Sequence, residues 1–434
     1  MNIIQSYWSK PAFHKNQDFS NNRKFGGWLS YKYFLYSLCF SCLTIKRHHK
    51  TLDLHTDDDG YDLFINKLKL PYDNVSLILN ELNGEDHRLW VLGKLKTILL
   101  QDYPFIHVDN DVFLWDSLPD NKSNDFIIAQ SELLMPSIYK RTLKQVVDNF
   151  EYVPSCLTKE PDSRTRIANI GIMGGNDIEF FHEYCNLAKD LLEKNRKNLE
   201  KVNVGNFNQI MDEYLFYSLA GEKKQKVHLL FDTNPNEIIA HPMDNVLRFN
   251  MVPILDKYIH LVASTKQNKY ACEQLEMRFE YEFPQYYRNV QSLLKEQYGA
   301  SGKNEPIDEE RNKKLKEVIP ILYNKTITDL MSMKFKLPEN AEIRENETSQ
   351  DTAGYVLFMM DPVSKKETKI PLTGTDLILS YFTNPVSVNE ILEALRQQEP
   401  EIYEEEFEMK KFKLLDIVTE KIIVEGLLQL SKTN

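Results

Sequence analysis

The sequence predicts an α/β protein: a layered α/β domain over residues 1–295, a linker with short helices over 296–349, and a small α+β domain over 350–434. Three observations carry this. Strand-like and helix-like segments alternate through the first two thirds of the chain. One strand-like run, Phe105 to Val108, leads into Asp109-Asn110-Asp111 and is followed at once by Val112-Phe113-Leu114-Trp115. Beyond a charged, weakly apolar stretch the pattern changes to a hairpin followed by amphipathic helices.

In chain order, Ile3 to Tyr7 reads as a first strand and Tyr31 to Leu43 as a helix. Tyr33 to Ile45 is the most apolar stretch, but it is too short to span a bilayer and is closed by Lys46-Arg47-His48-His49-Lys50, so a buried helix is expected. Leu52 to Thr56 reads as a second strand, ending in the turn Asp57-Asp58-Asp59-Gly60. Asp62 to Leu68 is a short helix, and Leu89 to Leu100 a longer one with apolar residues at helical spacing. The strand before Asp109 follows, then Phe126 to Ala129. Such alternation predicts parallel pairing. Ligands of these folds bind beyond the carboxyl ends of the strands, where the Asp109–Asp111 pair and the Asp57 turn both fall.

Gly302 to Pro306, Asp308 to Lys316 and Pro338 to Gln350 supply the linker character. In the tail, Gly354 to Pro362 is a strand and turn, and Lys366 to Leu372 a returning strand. Asp376 to Phe382, Ser387 to Arg396 and Phe407 to Leu428 are expected as helices. Ser387 with Glu390 three residues on forms a capping box.

With 434 residues, two or three domains are expected, and 42% hydrophobic with 11% aromatic content excludes wholesale disorder. The net charge of −11 argues against nonspecific nucleic-acid binding, which rests on Lys and Arg neutralising phosphates. An acidic protein that handles nucleotide phosphates does so through a metal and a few placed cations. Met1 to Trp8 lacks a charged leader followed by an apolar core, and no segment has transmembrane length, so a cytoplasmic protein is expected. Cys39-Phe40-Ser41-Cys42 is the one short cysteine spacing. It falls in an aromatic helix without further ligands close by, and reads as buried reduced thiols.

Side chains two apart on an extended segment point the same way, so Asp109 and Asp111 can aim at one hard cation. Mg²⁺ or Mn²⁺ held by such carboxylates, with phosphate oxygens in the remaining positions, grips a nucleotide diphosphate. A bare Asp-x-Asp is most often a solvated turn; the apolar flanks set this one apart. His260, after a strand-like start, can complete the coordination of such a cation or serve as an ordinary hydrogen-bonded residue. Lys266, six positions later, is a point charge suited to a leaving diphosphate. Asn169-Ile170-Gly171-Ile172-Met173-Gly174-Gly175-Asn176 implies tight turns and close backbone approach, to a neighbouring element or to a sugar. Asp212-Glu213 opens an aromatic helix, as charge at a helix N-terminus or as an acid contacting the sugar.

Together these pieces resemble the GT-A glycosyltransferases of the glycogenin and retaining-galactosyltransferase type, over roughly residues 1 to 290. The resemblance implies that Asp109 and Asp111 bind Mn²⁺ and that His260 and Lys266 match a His-x-x-Gly-x-x-Lys segment giving the third metal ligand and a phosphate contact. Ala263 stands where that segment has glycine. Asn169 and Gly171 match an Asn-x-Gly strand. Asp212-Glu213 meets an acceptor-side Asp-Gln pair, departing at its second residue. Lys94, with Lys96 as a rival, matches a basic residue that meets the nucleotide, and Asp57 is expected near the nucleoside. The tail is similar to PqqD-like domains, the winged-helix recognition elements of ribosomal peptide (RiPP) biosynthesis, which bind a leader peptide as an added strand.

The expected activity is therefore transfer of a sugar from a UDP-sugar or another nucleotide-diphosphate sugar, with Mn²⁺ or Mg²⁺, to an acceptor such as a ribosomally made precursor peptide. Two alternatives stay open: a glycan or lipid acceptor with the tail as a structural cap, and a non-catalytic peptide-binding protein on a transferase scaffold. A nucleotidyltransferase ranks last, because no glycine-rich basic phosphate loop is present near the N-terminus.

Overall fold

Strands β1 (Asn2–Tyr7), β2 (Leu52–Thr56), β3 (Asn74–Ser76) and β4 (Phe105–Val108) lie in parallel, while β5 (Val112–Leu114) leaves their sheet. With β6 (Ile127–Leu134), β7 (Arg166–Gly175) and β8 (Val227–Phe231) they form seven strands in the order β3-β2-β1-β4-β7-β6-β8. The expected parallel pairing holds except at β7, which runs antiparallel to both β4 and β6. Because β1, β2 and β4 share a direction, Trp8, Asp57 and Asp109 all follow carboxyl ends on one edge of the sheet. A separate two-stranded ribbon joins β5 to β9 (Tyr258–His260).

This computed structural model describes residues 1–13, 24–121, 123, 125–231, 249, 252–254, 256–298, 316–320, 323–345, 355–360, 367–372, 374–398, 411, 414–415, 417–419 and 428–431. The chain divides into two compact units, Met1–Leu247 with Tyr258–Gly302, and Arg248–Lys257 with Lys303–Asn434.

In the first unit a four-residue helix, α1 (Lys10–Phe13), follows β1, and α2 (Tyr31–His48) comes next, longer than its apolar pattern alone indicates. Every residue of α2 from Tyr33 to Ile45 is buried, and its N-cap Ser30 makes no side-chain capping bond. A cap is worth about 1 kcal/mol, whereas each buried large apolar side chain contributes roughly 1.5–3 kcal/mol, so packing holds this helix in place. Phe40 lies 5.2 Å from Phe113 and 6.2 Å from Phe279, ring centre to ring centre. Cys39 and Cys42 are buried free thiols, and burial pushes both thiols up. Among the described residues no helix is long and apolar enough to cross a membrane.

Next come α3 (Asp58–Tyr61), α4 (Val91–Leu99), α5 (Ser137–Asn149), α6 (Ile178–Glu193), α7 (Val204–Gln209) and α8 (Leu215–Glu222). Leu95 and Ile98 of α4, Phe180, Phe181 and Tyr184 of α6 and Phe216 of α8 share one core cluster with Ile4, Phe105 and Ile127 of the sheet. Helices α9 (Lys269–Glu282) and α10 (Pro284–Tyr298) complete the unit.

The glycine run expected as turns is instead the continuous strand β7. A Cβ at Gly174 would lie 2.2 Å from Phe105 O, and one at Gly175 would lie 1.9 Å from Phe126 O. Close backbone approach was the correct half of that expectation: these glycines let β7 pack between β4 and β6.

In the second unit β10 (Lys334–Lys336) pairs with β14 (Val386–Ser387) and β15 (Gln429–Leu430), while β11 (Ala341–Glu345), β12 (Tyr355–Met360) and β13 (Glu367–Leu372) form an antiparallel sheet. Thus β10 and β11 fall within the stretch expected as a linker. Gly374–Thr383 is a 3₁₀ segment where an α-helix was expected. Helix Val388–Gln398 follows Ser387, whose Oγ accepts from Glu390 N while Glu390 accepts from Ser387 N, completing the capping box. The expected helix Phe407 to Leu428 lies mostly outside the described residues.

Replacing Gly174 or Gly175 by Ala should destabilise the first unit by on the order of 3 kcal/mol, because the added methyl meets backbone that cannot yield. Chemical denaturation of the two variants checks this.

Candidate functional site

Asp109 follows β4, and its N–H donates to Gly171 O at 2.8 Å. The chain then turns, with Val112 N donating to Asp109 O, and leaves along β5. Asp109 and Asp111 therefore converge through a turn between two strands rather than through alternation along one strand. Three hydroxyl or amide groups grip the main chain of that turn. Ser37 Oγ donates to Asn110 O at 2.8 Å, Ser41 Oγ to Asp109 O at 3.3 Å, and Gln5 Nε2 to Asp109 O at 3.4 Å. Ser37 and Ser41 are one turn apart on the buried face of α2, which explains two polar residues in so apolar a helix. Asn110 Nδ2 donates to Ser6 O, tying the turn to β1.

Pairing of β5 with β9 sets Val112 opposite His260, and Leu261 N donates to Asp111 O. This register delivers the imidazole to the carboxylates. Ligand atoms of Asp109, Asp111 and His260 lie within 4.8 Å of one another. His260 Nε2 is 3.2 Å from Asp111 Oδ1, yet that buried oxygen receives no hydrogen bond. His260 Nδ1 lies 2.8 Å from Gln130 Oε1. Two carboxylates, one imidazole nitrogen and a buried oxygen without a donor suit a hard or borderline divalent cation such as Mg²⁺ or Mn²⁺.

Two lysines supply the local positive charge. Lys94, buried on α4, lies 3.2 Å from both Asp109 Oδ1 and Asp212 Oδ2 and donates to Ile170 O at 3.0 Å. Burial alone would lower its pKa, but the two carboxylates outweigh that and hold the ammonium charged. Lys266 Nζ is 2.6 Å from Asp111 Oδ2 and donates to Gly26 O at 3.1 Å. The acids respond unequally. Burial pushes Asp109 up to about 6 against the pull of Lys94, which is shared with Asp212. Burial also opposes ionisation of Asp111, but the Lys266 ammonium overcomes it and holds that carboxyl well below the usual range.

Asp212 and Glu213 do not open a helix. They lie in a π-helical segment, Ile210–Tyr214, inserted between α7 and α8. Such insertions re-aim side chains and recur at functional sites. Burial, then the neighbouring Asp212, pushes Glu213 up to about 8. Asn169 Oδ1 accepts from Gly171 N at 3.0 Å.

A cavity of about 580 Å³ is lined by Lys94, Asp109, Asp111, Asn169, Asp212, Glu213, His260 and Lys266. The structure thus gathers all of the expected site residues except Asp57. That carboxylate accepts from Ser9 N at 2.9 Å, Ser9 Oγ at 2.7 Å and Gly60 N at 2.9 Å, capping α3 where a turn was expected. Lys96, the rival of Lys94, pairs with Glu81. Sequence reasoning missed the aromatic walls Trp8, Trp28, Trp90 and Tyr139. The placement of Trp8 directly after β1 is the one signal that could have found any of them.

Ala263 holds φ +46°, in the left-handed region that glycine prefers. An alanine thus occupies a backbone bend that suits glycine.

Residues 1–293 match the model of a family described as a family of unknown function, DUF6734. The chain belongs to that family. No curated protein matches this DUF6734 member. Solved structures with some likeness include the galactosyltransferase LgtC in complex with donor and acceptor sugar analogs, at 12% identity and a TM-score of 0.26, covering 49% of this chain and 70% of that one. The glycosyltransferase GlyE of Streptococcus pneumoniae TIGR4 aligns at 10% identity and a TM-score of 0.33, covering 70% of this chain and 66% of that one. Mouse xyloside xylosyltransferase 1 aligns at 11% identity and 0.28, covering 53% and 84%. At these scores the likeness carries no weight for the chemistry, which rests on the geometry above.

Ala263→Gly should stabilise the protein by about 1 kcal/mol by relieving the left-handed alanine, measured by thermal or denaturant unfolding. A second expectation concerns pH. Glu213 binds its proton more tightly folded than unfolded, so its contribution is complete below its ordinary value of 4.5 and is lost as pH rises through about 8. The Tm of Glu213→Gln should therefore gain on that of the unmodified protein across this window.

Proposed function

We propose that this chain is a metal-dependent glycosyltransferase of GT-A type, acting in the cytoplasm on a UDP-sugar or a related nucleotide-diphosphate sugar. The observation that carries the reading is the convergence of Asp109, Asp111 and His260, with an undonated buried oxygen among them, on the wall of a cavity that also holds two lysines. Its volume of about 580 Å³ falls in the ordinary range for small-molecule sites.

In this reading Asp109, Asp111 and His260 hold Mn²⁺ or Mg²⁺, which when bound neutralises charge growing on the departing diphosphate. Lys266, at the same carboxylate, serves the phosphate. Lys94 fixes Asp109 and Asp212 in place and keeps the two neighbouring acids ionised side by side. Asn169, Asp212 and Glu213 face the transferred sugar and its acceptor. Asp57 acts indirectly: by anchoring Ser9 it holds the Tyr7-Trp8 wall, against which a nucleoside can pack.

A peptide acceptor bound by residues 350–434 in the manner of a PqqD-like domain is the finer reading. The antiparallel β11-β12-β13 sheet supports it, since among the described residues β11 is an edge free of proline, whereas Pro371 removes a donor from β13. A glycan or lipid acceptor and a non-catalytic peptide-binding role are its rivals.

The test is release of nucleoside diphosphate from a panel of UDP- and GDP-sugars with Mn²⁺, with and without peptide acceptors. Asp109→Asn and Asp111→Asn should each reduce release at least about 100-fold while circular dichroism and Tm show an intact fold. Full activity in both variants would overturn the metal role, and no release with any donor would favour the binding-protein reading.

A further inference from the structure

Where β6 passes β7 the ladder is irregular. Ala129 pairs with Met173 and Ser131 with Asn169, so Gln130 alone stands opposite Ile170, Gly171 and Ile172. A β-bulge of this kind re-aims side chains next to sites. Here it coincides with a slot that only glycine leaves open. A Cβ at Gly171 would lie 2.2 Å from His260 Cε1, 2.4 Å from His260 Nδ1 and 2.8 Å from Gln130 Oε1. Gln130 is itself 5% exposed and His260 also 5%, so the pair meets away from water.

We infer that Gln130 is a positioning residue that fixes the tautomer of His260, so that the nitrogen facing Asp111 is the one carrying a lone pair. The inference rests on the metal-centre reading given above. Its chemistry is direct: an amide oxygen only accepts, so with Gln130 Oε1 2.8 Å from Nδ1 the tautomer that bonds is the one protonated at Nδ1. A neutral ring then has its lone pair on Nε2, 3.2 Å from an Asp111 oxygen that also lacks a donor. A lone pair and a carboxylate oxygen at that distance repel, unless a cation lies where both can reach it. Without Gln130 the ring could place its proton on Nε2, satisfy Asp111 by hydrogen bonding, and close the position to metal. Gln130 withholds that escape, and Gly171 provides the room. Outer partners that hold a ligating histidine in one tautomer typically change metal affinity about 10- to 100-fold when removed.

The experiment uses the full chain labelled with ¹⁵N-histidine and kept free of metal. Long-range ¹H–¹⁵N spectra report which ring nitrogen of His260 is protonated, its signals being assigned by their loss in His260→Asn. The expected result is a neutral Nδ1–H ring. Finding an Nε2–H ring in the unsubstituted protein overturns the inference without recourse to any variant. Gln130→Met, similar in length but without a strong acceptor, should show mixed tautomers and bind Mn²⁺ about 10- to 100-fold more weakly by calorimetry. Gln130→Glu, which keeps an acceptor, should retain the Nδ1–H ring and bind Mn²⁺ at least as tightly as the unsubstituted protein. Unchanged tautomer and affinity in a folded Gln130→Met would refute the role. An Nδ1–H ring that depends on Gln130 in a protein taking up no Mn²⁺ would uphold the positioning and sink the metal reading instead.

Discussion

The site depends on a balance of buried charge. Asp109, Asp111 and Asp212 line one cavity, and among the described residues Lys94 and Lys266 are the lysines or arginines within ion-pair distance of them there. Moving an ionised carboxylate out of water costs several kcal/mol unless it is paired, so three acids against two ammonium groups leave the wall short of positive charge. The shortage falls on Asp109, whose partner is divided with Asp212, and on the Asp111 oxygen that no donor reaches. A divalent cation answers both. That is why the metal centre is the natural reading of this cavity, and why Lys94 cannot be exchanged for a neutral residue without disturbing two elements at once.

Much of the architecture was legible in the chain itself. β1, β2 and β4 announce themselves because their inward faces are buried in alternation or throughout, and the helix around Phe40 because its apolar run admits no other placement. Asp109 and Asp111 stood out because charged residues flanked by Val108 and Val112 must be there for a reason other than solvation. Other features were invisible for definite causes. Gln130 carries no local signal, since its part depends on a bulge opposite Gly171 and on a strand that begins more than a hundred residues later. The meeting of His260 with Asp111 is likewise a matter of non-local register.

Where the reading of residues and the structure part company, one local pattern has two physical explanations. Glycines at 171, 174 and 175 suggest turns, yet here each serves a close approach, one to an imidazole and two to neighbouring backbone. Acids at 212 and 213 suggest a helix start, because a single extra residue per turn leaves the hydrophobic spacing on either side nearly unchanged. Asp57 does lie at a strand end on the expected edge of the sheet, but three nearby donors consume its carboxylate before any ligand could.

The ammonium of Lys266 bridges the Asp111 carboxylate and the carbonyl of Gly26, in the bend that precedes Trp28. Any divalent ion that took hold of Asp111 would loosen this bridge by repulsion, leaving the ammonium to seek an anion and the bend to lose one of its ties. Uptake of cation and seating of a phosphate are then thermodynamically reciprocal: whichever comes first eases the other by the same factor. On the proposed reading the amine is a stand-in that guards the acid until cation and phosphate arrive.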